Sequence, residues 1–115
     1  MGDSRIAPTM FDTSVERIHI MNKKLVNDQT DILFKGILSL ETVEECYDFF
    51  EDLLTIAELK SITQRFMVAG LLKRDVVYSE IEKQTGASSA TISRVQKCLK
   101  YGDGGYNTIL DRIGF

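Results

Sequence analysis

From Asp28 onward, apolar residues recur three and four positions apart and β-branched alternation is scarce, a pattern that predicts helix throughout. A first helix is expected from Asp28 to Leu40, with Ile32, Leu33, Ile37, Leu38 and Leu40 forming a stripe around Gly36. A second is expected from Thr42 to Leu54, with Cys46, Tyr47, Phe49, Phe50 and Leu53 inward and acids on its other faces. The Thr55-Ile56-Ala57-Glu58 segment has capping-box spacing and opens a third, longer helix reaching about Arg74. The middle of that helix, Phe66 to Leu72, is apolar almost all round and must be covered on every side. A second subunit or the first two helices would each serve as cover, and periodicity alone does not choose between them.

The segment Tyr78 to Tyr101, YSEIEKQTGASSATISRVQKCLKY, carries the clearest functional pattern. A short helix from Ser79 to Thr85 turns Ile81 inward and meets Gly86, a residue able to take the left-handed conformation that ends a helix sharply. Ser88 or Ser89 then caps another helix, buried along Ile92, Val95 and Leu99. Two short helices around a glycine turn form a helix-turn-helix. The opposite side of the second helix carries Ala90, Arg94 and Lys97, and its first turn carries Ser88, Ser89 and Thr91. Free amides and hydroxyls there suit phosphate, small residues allow close approach, and arginine or lysine neutralises phosphate or contacts guanine. A structural hairpin of the same shape is the alternative that the motif by itself leaves open. A last helix is expected from Gly105 or Tyr106 to Ile113.

Composition narrows the class. The chain has 115 residues, 43% of them hydrophobic and 27% charged, as expected of a folded domain and too apolar for a disordered one. No apolar run approaches the ~20 residues of a membrane span, and the start lacks the layout of a secretory signal. Two cysteines, Cys46 and Cys98, are too few for a disulfide scaffold or a four-ligand metal site, which points to the cytoplasm. The net charge of −3 disguises an uneven layout. Seven acids and no base lie between Glu41 and Glu58, whereas Ser88 to Lys100 holds Arg94, Lys97 and Lys100 and no acid. Residues 1–26 show no sustained period and are expected to be a disordered extension outside the domain at 27–115. Met21-Asn22-Lys23-Lys24 looks like a translation start, so Met1–Ile20 is expected to be upstream sequence.

Leu53-Leu54-Thr55 with Glu58, then Gln64-Arg65, then Gly86-Ala87-Ser88-Ser89-Ala90-Thr91-Ile92-Ser93-Arg94 resembles the Trp repressor family. Leu38-Ser39-Leu40, Glu44-Glu45-Cys46-Tyr47, Phe49-Phe50, Gln96-Lys97-Cys98-Leu99 and Tyr101-Gly102 resemble its YerC/YecD branch more narrowly. The resemblance runs from about Asp28 to Ile113 and implies an all-α, six-helix subunit in an intertwined homodimer that presents two reading heads to successive major grooves. Cys46 and Cys98 then become small buried apolar residues. The resemblance matches Ser89, Ala90 and Thr91 to the DNA-contacting tip of its recognition helix, beside the Ser88, Arg94 and Lys97 contacts read from the motif. An arginine that reads guanine in the family falls on Ser79, and a nearby lysine falls on Glu82, so the operator must differ.

The family's tryptophan site lies between two arginines, which match Arg65 and Arg94, with Thr55 kept beside them. Val95 stands where the family has glycine, and Cys98 where it has serine. A valine side chain takes space that the indole ring needs, and a thiol is a weaker hydrogen-bond partner than a hydroxyl, which counts against tryptophan as corepressor. An ion pair with an acid of the second helix is the alternative role for Arg65. No cofactor or metal is implied: the acids spread round a helix without a calcium-loop pattern, and Gly102-Asp103-Gly104-Gly105 lacks the lysine of a phosphate loop. No serine–histidine–acid set accompanies the single His19, so no enzyme is expected. The leading function is a homodimeric, sequence-specific transcriptional regulator, a repressor, binding double-stranded DNA. The second is a dimeric metabolite-responsive interaction protein whose helix-turn-helix no longer reads DNA specifically.

Overall fold

Four of the helices begin where a side chain satisfies amides that helical geometry leaves unbonded. The computed structural model describes residues 25–115, so the expectations for residues 1–24 lie outside the described residues. Asn27 Oδ1 accepts from the Thr30 amide at 2.9 Å and opens α1, Asp28–Leu38. Thr42 Oγ1 accepts from the Glu45 amide at 3.0 Å ahead of α2, Val43–Leu53. The expected capping box is present: Glu58 N donates to Thr55 Oγ1 at 3.1 Å and Thr55 N donates to Glu58 Oε1 at 2.8 Å, opening α3, Ile56–Lys73. Then come α4, Tyr78–Thr85, α5, Ser89–Tyr101, and α6, Gly105–Ile113. The described residues thus form six helices and no strand.

The described residues divide into two compact units, with the boundary between Cys46 and Tyr47. In the first, α1 buries none of its side chains: Ile32 and Phe34 are exposed and Leu38 is 83% exposed. The second unit contains the core. Val68, Ala69 and Leu71 of α3 pack with Ile81 of α4, Ala87 of the turn, Ile92 and Val95 of α5 and Leu110 of α6. Val68, Ala69 and Leu71 in the middle of α3 are therefore covered by α4, α5 and α6, while Met67 stays exposed. Gly70 gives the closest approach. A Cβ there would run into the Phe115 ring, and the Arg74 guanidinium lies 4.1 Å from the centre of the same ring.

Two sequence expectations need correction. The stripe of α2 is not inward: Tyr47 is 64% exposed, Leu53 is exposed, and Cys46, Phe49 and Phe50 are half-buried. The helix is amphipathic as its spacing requires, but no described segment covers its apolar face. Cys98 is exposed rather than buried. The buried line of α5 runs through Ile92 and Val95 to half-buried Leu99, and at ~100° per residue Cys98 falls off that line.

Candidate nucleic-acid interface

The helix-turn-helix is built from the turn outward. Gly86 ends α4 with φ of +74°, and its amide donates to the Glu82 carbonyl at 2.8 Å, as the left-handed cap demands. Thr85 ties the turn to itself. Its hydroxyl donates to the Ile81 carbonyl at 2.7 Å and accepts from the Ala87 amide at 3.1 Å. Gln64, reaching from α3, donates through Nε2 to the Thr85 carbonyl at 3.1 Å. Neither Thr85 nor Gln64 drew attention as a turn residue in the sequence. The signal available for Thr85 was a hydroxyl residue directly before a helix-ending glycine; for Gln64, 21 residues away, local pattern offered none.

Ser88, not Ser89, is the cap of α5: its hydroxyl oxygen accepts from the Thr91 amide at 3.1 Å. Below the cap, Ile81 and Ile92 are fully buried and Val95 is 2% exposed, so the inner face of the motif is closed by packing. The outer face is open. Ser79, Ser88, Ser89, Ala90, Arg94 and Lys97 are all exposed and Thr91 is half-buried. The first turn of α5 contains no acid, so the positive end of its helix dipole stands unneutralised beside Arg94. Glu82 and Lys83 are exposed on α4. This end of α5 therefore offers backbone amides, hydroxyls and cations to solvent, a combination suited to phosphate oxygens and base edges.

The residues named for the ligand pocket are spread more widely. Thr55 lines a groove of about 710 Å³ with Tyr47, Leu54, Lys60, Gln64 and Thr85. Arg65 lines a different hollow with Ile62, Phe66 and Tyr106. Arg94, Val95 and Cys98 line neither, and the Val95 side chain is part of the core. Within the single chain these five residues are not assembled into one site. Among the described residues no ion pair joins Arg65 to Asp48, Glu51 or Asp52, and an exposed pair, Lys73 Nζ to Asp111 Oδ1 at 2.6 Å, links α3 to α6.

The sequence profile of the Trp repressor protein family matches residues 28–114, from the start of α1 to the end of α6. The chain belongs to the Trp repressor family. It is 52% identical over 90 residues to the uncharacterized protein YerC of Bacillus subtilis (strain 168), a match covering 78% of this chain and 86% of YerC, as the narrower resemblance implied. Two solved structures share the fold. A candidate Trp repressor from Staphylococcus aureus superposes with a TM-score of 0.79 at 47% identity, over 82% of this chain and 94% of that one. A TrpR-like protein from Eubacterium eligens ATCC 27750 gives 0.80 at 48% identity, over 82% and 97%. The six-helix architecture is thus that of the Trp repressor family, a fold of regulators and not of enzymes. No helix among the described residues is long and apolar enough to cross a membrane.

Proposed function

We propose that this protein is a homodimeric, sequence-specific transcriptional regulator of the cytoplasm, a repressor, that places α5 in the major groove of double-stranded DNA. One observation carries the reading: the exposed, acid-free, Ser88-capped start of α5 stands on a fully packed inner face. Arg94 and Lys97 neutralise phosphates, the Ser88 end supplies amides, and Ser89, Ala90 and Thr91 approach base edges. Ser79, in the first turn of α4, joins that surface. Two such heads related by a two-fold axis suit a palindromic site. The open apolar side chains of α1 and α2 supply the dimer surface, since a monomer gains nothing by leaving Leu38 and Tyr47 in water.

Selection of bound sequences from random duplexes, followed by salt titration, tests this. A preferred palindrome should emerge, with log affinity falling linearly against log salt. Arg94→Ala and Lys97→Ala should each lower the salt slope by about one and weaken binding to all sequences. If both variants keep the wild-type affinity and slope, α5 is not the DNA-binding element.

The groove beside Thr55, with Ser79 and Glu82 replacing basic positions, favours a second reading: a metabolite-responsive interaction protein. That protein would bind all duplexes alike and weakly in the same titration.

A further inference from the structure

The helix-turn-helix is attached to the rest of its unit almost entirely by apolar packing. Ile81, Ala87, Ile92 and Val95 rest on Val68, Ala69 and Leu71 of α3. Such contacts are strong but non-directional: they hold the head against α3 without fixing its pitch. Among the described residues, a single side-chain hydrogen bond joins α3 to the head, from Gln64 Nε2 to the Thr85 carbonyl. That carbonyl belongs to the last residue of α4, where helical geometry leaves the acceptor without an intrahelical partner. Gln64 is half-buried at this point, and a Cβ built on Gly86 would stand 3.9 Å from its Nε2, so the amide sits directly under the turn.

We infer that Gln64 is a positioning residue for DNA reading: its hydrogen bond sets the angle at which α5 leaves the turn. The inference rests on the DNA-binding reading above. The lever is short, because Thr85 is three residues before the Ser88 cap and the Thr85 hydroxyl already locks the intervening residues to one another. Whatever fixes the Thr85 carbonyl fixes the first turn of α5. Base contacts depend on ångström placement, whereas phosphate attraction does not. Loss of the bond should therefore reduce sequence discrimination and leave the general attraction to DNA intact.

The test is Gln64→Met, which keeps side-chain length and helix preference but removes the donor, with Gln64→Glu as a second variant should the first not fold. Affinity is measured for the selected duplex and for a random one, across a salt series, alongside hydrogen exchange of the amides of residues 86–89. The expected result is a roughly three- to ten-fold loss in the ratio of selected to random affinity, the scale of one net hydrogen bond. The salt slope should be unchanged and the turn amides should exchange faster. A merely structural bond would weaken both duplexes alike and preserve the ratio, and that outcome overturns the inference. If the wild-type protein itself shows no preference, the DNA-binding reading is what fails. The exchange measurement then decides about Gln64, since turn amides as protected as in the wild type would show that it does not hold the head.

Discussion

The helices α3 to α6 and the helices α1 and α2 use similar apolar stripes in opposite ways. In α3 to α6 the stripes face one another and close a core in which Val68, Ala69, Ile81 and Ile92 are fully buried. In α1 and α2 no side chain is buried at all, although Leu33 and Ile37 of α1 and Cys46, Phe49, Phe50 and Leu53 of α2 recur at the same three- and four-residue spacing. Amphipathic spacing specifies that a face needs cover; it does not specify what the cover is. The difference separates a region stabilised by its own packing from one whose apolar side chains are left unburied.

The sharpest way to break this comparison is to truncate one residue from each region. Ile92→Ala should cost about 3 kcal/mol of unfolding free energy, a fully buried side chain replaced by a cavity, read as a lower denaturant midpoint with an unchanged slope. Leu38→Ala should change the unfolding free energy by less than about 0.5 kcal/mol at high protein concentration. It should nevertheless lower the melting temperature most at low protein concentration and shift sedimentation toward monomer. Equal costs from the two substitutions would mean that the regions are not distinct.

A smaller effect is expected where backbone rather than packing is limiting. Gly86→Ala forces an L side chain into φ of +74° and should cost about 1–2 kcal/mol. Space is not the obstacle, since the new Cβ has only Gln64 Nε2 within 4 Å, at 3.9 Å. A neutral result in thermal melts would show that the turn relaxes to another conformation.

The smallest effect concerns Asp75, the one described non-glycine residue with positive φ, at 61°. It follows α3 in a Schellman arrangement, with the Asp75 amide donating to the Leu72 carbonyl at 3.0 Å and the Val76 amide to that of Leu71 at 3.1 Å. Asp75→Gly should stabilise by about 0.5 kcal/mol or less, because relief of the left-handed strain is partly offset by a freer unfolded chain. Destabilisation would indicate that the Asp75 side chain contributes something the strain account omits.

Local chemistry was legible in the chain itself. Thr55 with Glu58 announced the start of α3, Gly86 announced the end of α4, and the Ile81, Ile92 and Val95 spacing announced the inner face of the helix-turn-helix, because capping, turn geometry and helical period act over four residues or fewer. The outward placement of Ser89, Ala90, Arg94 and Lys97 follows from the same period. Tertiary structure alone decided that α3 is covered by α4, α5 and α6, that the face of α2 stays open, and that Gln64 bonds to Thr85 across 21 residues. Those outcomes depend on which surfaces meet in space, and an apolar side chain or an amide donor carries no mark of its distant partner until the chain has packed.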